Sequence, residues 1–151
     1  MTPQVLEFVQ KLNLQGRTLD VGSMDVNGSV RDFFINYIGL DMRLGKNVDI
    51  VAKANHLPFV SNLFDNVTCL EMLEHDDCFW ESIPEMIRVL KIGGSFVLTA
   101  RGIHFEKHEY PHDYWRFTKE SFELLCKGLA NIVCIDETGE SGVFLCGVKG
   151  A

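Results

Sequence analysis

Apolar positions along the chain alternate between helical spacing and short continuous runs. Behind Thr2-Pro3, a capping residue and a first-turn proline, Val5, Leu6, Phe8, Val9 and Leu12 recur every three to four residues, which predicts an opening helix. Gly16 ends that segment, and Arg17 to Val21 is expected as the first strand. Val30, Phe33 and Phe34 fall on one side of Ser29 to Tyr37, which predicts a second helix. Strands are expected at Tyr37–Asp41, Val48–Ala52 and Phe64–Leu70, with Leu57-Pro58-Phe59 as a loop before the last of these. Phe79, Ile83, Met86, Ile87 and Leu90 give Cys78–Leu90 a helical period, with Pro84 marking a kink or the true start. Gly93-Gly94 is expected as a turn and Ser95–Thr99 as a fifth strand. No clean period runs through residues 102 to 117. Thr118 caps a further helix carrying Phe122, Leu124 and Leu125. Ile132–Ile135 and Val143–Val148 close the chain as an antiparallel hairpin joined across 137–142.

Strands alternating with helices predict an α/β fold: a doubly wound, mainly parallel sheet with helices on both faces and a C-terminal antiparallel hairpin. Ligands of such sheets bind beyond the carboxyl ends of the strands. Asp20-Val21-Gly22, Asp41, Ala52 to Asn55 and Leu70-Glu71 all fall at that edge. The first of these loops, Thr18 to Gly28, departs from the dinucleotide fingerprint. With Gly22 as the middle glycine, Asp20 stands at the first glycine position and Asp25 at the third. An acid beside one tight glycine suits a ligand with ribose and ammonium groups better than a pyrophosphate, which counts against a nicotinamide-dependent oxidoreductase.

Composition narrows the class. A chain of 151 residues, 46% hydrophobic and 23% charged, is expected to form a single domain over 1–151 with a continuous core. A formal charge of -7 gives no global attraction to nucleic acid or anionic membrane. The five cysteines are scattered, with no CxxC pair, and are expected as reduced thiols of a cytoplasmic protein. The sequence shows no signal-peptide pattern, and no apolar run approaches the roughly 18 residues of a membrane span.

Five segments taken in order carry a resemblance. Leu19-Asp20-Val21-Gly22-Ser23, Gly39-Leu40-Asp41, Leu57-Pro58-Phe59, Phe64-Asp65 with Glu74-His75, and Arg88-Val89-Leu90-Lys91-Ile92-Gly93-Gly94 resemble the class I S-adenosylmethionine-dependent methyltransferases, from about Arg17 to Leu125. The resemblance implies a seven-stranded sheet whose last strand is antiparallel, and S-adenosylmethionine as cofactor. It implies that Asp20, Gly22 and Ser23 line the methionine end of the cofactor and that Asp41 accepts from the ribose hydroxyls. Met42 would pack on adenine, Ala54 would offer its N–H to that ring, and Leu70-Glu71 would border the methionine moiety. Two departures stand out: Met24 and Val26 replace glycines that many members keep, and Lys53 replaces an acid that often binds the adenine amino group. Ammonium is donor-only, so Asn55 is expected to substitute. Each acid alone would otherwise read as a strand-end turn cap.

Arg101 to Phe117 is the densest cluster of aromatic, His and charged residues, and loops on a rigid scaffold often carry function. In the resembling family this region lies over the transfer site, so His112 or Asp113 is the candidate to orient or deprotonate the acceptor. Tyr114, Trp115 and Arg116 are alternatively anchors that pack the loop down. The spacing of His104, His108 and His112 invites a metal reading, but Gly102 and Pro111 argue against one helix presenting all three, and no metal site is expected. For Glu71, Glu74 and His75, capping and loop polarity are preferred over metal ligation. The expectation is a methyltransferase acting on a small-molecule acceptor, without nucleic-acid or membrane partners and with a homo-oligomer open. The alternative is a non-catalytic module that keeps the fold for binding.

Overall fold

The computed structural model describes residues 1–108, 112–137 and 142–151. Among these residues seven strands form one sheet: β1 (Arg17–Val21), β2 (Asn36–Asp41), β3 (Ile50–Val51), β4 (Phe64–Leu70), β5 (Leu90–Arg101), β6 (Leu129–Glu137) and β7 (Gly142–Lys149). Their order is β3-β2-β1-β4-β5-β7-β6. The first five are parallel, and β7 inserts antiparallel between β5 and β6. Strand order reverses at β1, whose neighbours are β2 and β4, so the crevice of a doubly wound sheet opens over the carboxyl end of β1.

Period-2 alternation sends neighbouring residues to opposite faces, and each face has its own apolar cluster. Leu70, Val97 and Phe144 meet Val5 and Val9 of helix α1 (Pro3–Lys11). Cys69, Phe96, Leu98 and Leu145 meet Ile83, Met86 and Val89 of α2 (Phe79–Val89) and Phe122 of α3 (Lys119–Leu125). Thr2 accepts from the Val5 N–H at the start of α1, and Thr118 with Ser121 forms a reciprocal capping box on α3. α2 runs through Pro84 unbroken.

Several boundaries differ from expectation, each for a tertiary reason. The helix expected over Ser29–Tyr37 is one 3-10 turn, Arg31–Phe33. Asn36 and Tyr37 are taken by β1 pairing, and the residues left are too few to repay helix nucleation. β3 keeps only two of its five expected residues, because Asp49 turns to accept the Gly39 N–H and both terminal nitrogens of Arg31. Gly93-Gly94 does not end a strand. It forms an irregularity within β5, with Gly93 at φ +79°, where the register to β4 shifts. β6 starts earlier than expected and bulges between Ala130 and Val133. The hairpin connection at 138–141 lies outside the described residues. No helix among the described residues is long and apolar enough to cross a membrane.

Candidate active site

A cleft of about 590 Å³ opens over the carboxyl ends of β1, β2 and β4 and extends beneath the segment after β5. Its size and partly apolar lining suit a small organic ligand.

The strand-end pole is set by backbone pairing. Gly22 leaves β1 at φ +82°, and a Cβ there would stand 2.5 Å from Met72 Cγ, so glycine is required both for the turn and for the close approach. The Gly22 and Ser23 N–H groups both donate to Leu40 O, tying the loop to β2. Ser23 Oγ donates to Asn47 O at 3.1 Å. Asp20 is buried beneath the loop, accepting from Tyr37 Oη and Thr68 Oγ1 at 2.6 Å each. Loss of water around it pushes its carboxyl up to about 6 despite those two hydrogen bonds. Its contribution to the cleft wall is therefore made with both carboxylate oxygens already engaged. Asp41, by contrast, reaches the cleft at the tip of β2, where its oxygens accept from the N–H groups of Met24 and Arg43. Met42 beside it is 60% exposed and lines the same wall. Ala54 lines the far wall, as does Asn55, whose amide donates to Glu81 of α2 at 2.9 Å. Leu70 and Glu71 close the floor. Glu71 is a non-glycine residue at φ +56°, and Arg101 Nη2 donates to its Oε2 at 2.7 Å.

The opposite pole is built by side chains reaching across loops. Arg116 donates to both oxygens of Asp113, at 2.5 and 2.6 Å, and to the carbonyls of Phe105 and Glu106. Trp115 Nε1 donates to Asp76 O at 2.9 Å, and the Tyr114 and Trp115 N–H groups both reach Glu74 O. These contacts also set the place of Asp113, expected beside His112 as a candidate to act on the acceptor. Its side chain is buried, outside the cleft lining, and the Arg116 guanidinium holds its carboxyl well below the ordinary carboxylate range. A carboxylate so paired is a weak base. His112 does line the cleft, and its backbone carbonyl meets His75 Nδ1. Of the alternatives for this segment, Trp115 and Arg116 are anchors, whereas Tyr114 also lines the cleft. Glu109, Tyr110 and Pro111 lie outside the described residues.

Sequence reasoning missed the burial of Glu74. It has no exposed surface, and desolvation pushes its carboxyl up to about 8. It also missed why Leu57-Pro58-Phe59 and Arg88 occur together. The Arg88 guanidinium donates to the Leu57 and Phe59 carbonyls, and Glu85 accepts the Leu57 N–H, so helix α2 fixes the loop that follows the Ala54–Asn55 wall.

Comparison with known proteins agrees with this geometry. Residues 18–98, just over half the chain, match the model of a methyltransferase domain. The chain belongs to that family, and its fold is that of the class I S-adenosylmethionine-dependent methyltransferases. The chain is similar to a Thermotoga maritima S-adenosylmethionine-dependent methyltransferase described as a possible histamine N-methyltransferase (17% identity, 95% of this chain and 87% of that one, TM-score 0.75). It is similar also to Haemonchus contortus phosphoethanolamine N-methyltransferase 2, solved with S-adenosyl-L-methionine (17% identity, 98% of this chain and 52% of that one, TM-score 0.76). A third similar structure is a Haloferax volcanii methyltransferase in complex with a methyltransferase activator (16% identity, 90% and 83%, TM-score 0.66). No curated protein matches the sequence.

The family's cofactor is S-adenosylmethionine, and the strand-end pole fits it. The left-handed turn at Gly22 packs the loop after β1 against Met72 along the cleft wall, and the acceptor-only carboxylate of Asp41 at the tip of β2 suits a vicinal diol.

Proposed function

We propose that the protein transfers a methyl group from S-adenosylmethionine to a small-molecule acceptor held at the Glu74–His112 end of the cleft. The observation that supports this most is continuity: one cleft joins the strand-end pole to a pole rich in imidazole and carboxyl groups. When bound, S-adenosylmethionine supplies an electrophilic methyl on a sulfonium centre. Asp41 would hold the ribose, Met42 the adenine face, and the Ala54 N–H an adenine nitrogen, with Asn55 beside it. Gly22 and Ser23 would shape the methionine end through their backbone, over the Asp20–Tyr37–Thr68 network, with Leu70 and Glu71 as its floor.

At the other pole His112 would orient the acceptor and take its proton. Asp113 acts one step back, as the positioning residue whose pairing with Arg116 holds the loop. Displacement at a methyl carbon needs mainly alignment, so the fixed loop matters more to rate than a strong base. The acceptor is small on this reading because a cleft of about 590 Å³ must also hold the cofactor, and the acidic chain has no global attraction for polyanions.

The test is release of S-adenosylhomocysteine when the protein meets pools of small hydroxyl, amine and thiol acceptors. Turnover by wild type, lowered at least roughly tenfold by His112→Ala without loss of cofactor binding, is the expected result. Tight cofactor binding with no turnover in any pool would favour the non-catalytic module instead.

A further inference from the structure

Beneath the acceptor end, Glu74, His75 and His108 bring one donor atom each within 4.8 Å of one another. Glu74 has no accessible surface, and neither of its carboxylate oxygens has a hydrogen-bond partner among the described residues. The cation beside it is Arg101, whose Nε stands 3.9 Å from Oε1 while Nη2 is committed to Glu71 at 2.7 Å. A buried carboxyl group left without hydrogen bonds is costly, and its oxygens are open to a cation.

The two histidines are oriented from behind. His75 Nδ1 lies against the His112 carbonyl, and His108 Nδ1 stands 3.2 Å from Asp113 Oδ2, at ion-pair distance though off hydrogen-bond alignment. The carbonyl behind His75 Nδ1 favours the tautomer with its proton there, which leaves the Nε2 lone pair of that ring available. Metal-ligating histidines are typically backed in this way by a carbonyl or a carboxylate. The rings sit edge to face with centroids 4.9 Å apart. Asp113 is itself fixed by Arg116, so the loop clamp described above also sets the His108 ring.

We propose that Glu74, His75 and His108 bind one divalent first-row transition ion, of the zinc, cobalt or manganese kind. Two imidazoles and one carboxylate form a borderline donor set that suits these ions better than magnesium or calcium. Three protein ligands leave coordination positions open to the cleft. An acceptor oxygen placed there would lose its proton more readily, a consequence that rests on the proposed function, whereas the binding itself does not. Sequence spacing raised His104, His108 and His112 as a trio, which Gly102 and Pro111 disfavoured, and no metal site was expected there or at Glu74-His75. The fold instead returns His108 to the Glu74-His75 turn and uses His112 through its backbone.

The test is titration of chelator-treated protein with Co²⁺, followed by visible absorption, beside equilibrium dialysis with Zn²⁺. One equivalent is expected to saturate the absorption. Glu74→Gln and His108→Ala should each weaken Zn²⁺ binding by well over about 100-fold, beyond the usual effect of losing an outer-shell partner. His104→Ala should bind as wild type does. No saturable absorption, or equal binding by wild type and both ligand variants, overturns the site. His108 is partly exposed on a loop, so its variant keeps the test valid if Glu74→Gln fails to fold. No cofactor or acceptor enters the measurement, so failure here leaves the methyltransferase reading standing, and the reverse also holds.

Discussion

The two ends of the cleft are held by different physics. At the strand-end pole Gly22, Asp41 and Leu70 sit where parallel strands stop, and the ladder fixes their backbone before any side chain acts. At the acceptor pole the described residues between 102 and 117 have one isolated bridge, Gly102 to Phe117, and are held besides by the Asp113–Arg116 ion pair, an indole N–H and carbonyls from distant turns. The first pole is therefore stiff by topology and the second by a few polar contacts. Changes at the first should alter cofactor affinity and global stability. Changes at the second should alter acceptor handling while leaving the cofactor in place.

The largest expected effect is at the clamp. Arg116→Ala leaves the Asp113 carboxylate buried without its bidentate partner, a change that typically costs about 3–5 kcal/mol. Hydrogen exchange should show the Tyr114 and Trp115 amides losing protection first, with turnover reduced and cofactor affinity nearly unchanged. Equal loss of cofactor affinity would erase the distinction between the poles.

Next comes Asp20, at the stiff pole. Its carboxyl is raised from 3.8 to about 6 by burial, so on raising the pH the unfolded chain releases this proton first. Its contribution to stability is full below about pH 4 and is lost as pH rises through 6, a difference on the order of 3 kcal/mol. Asp20→Asn should therefore melt higher than wild type at pH 7, with the gap closing toward pH 4. A gap independent of pH would contradict the assignment. Gly22→Ala comes third: a Cβ at φ +82° costs roughly 1–2 kcal/mol and displaces Met72. It should weaken cofactor binding more than it slows turnover at saturation. The smallest effect belongs to Trp115→Phe, which removes one hydrogen bond to Asp76 O, about 1 kcal/mol, and should raise the acceptor KM alone.

The same division explains what the sequence made legible. The strands that carry Asp20, Asp41 and Leu70 at their ends declared themselves by apolar runs and a glycine, so the place of these residues at the sheet's carboxyl edge was readable. The parallel core and closing hairpin followed from the same periodicity. Failures came where long-range contacts overrode local pattern. Ser29–Tyr37 carries a helical period, yet its end is captured by β1. Asp113 looks like a base in a reactive-looking loop, but Arg116, three residues on, takes both its oxygens. Glu74 resembles an ordinary polar turn residue, yet it is fully buried where the returning loop bonds its carbonyl through the Tyr114 and Trp115 N–H groups. No spacing rule encodes a contact between residues 74 and 114. The Asp76–Trp115 pair shows the same limit.

If the strand ends form the cofactor site, Asp41 is its ribose acceptor. Calorimetric titration of S-adenosylmethionine and S-adenosylhomocysteine into wild type and Asp41→Ala tests it most directly. Saturable binding of both ligands at one site per chain is expected. In the variant, affinity should fall roughly 10- to 100-fold, as expected for loss of hydrogen bonds to a charged group. No binding by folded wild type, or identical affinity in Asp41→Ala, would contradict it.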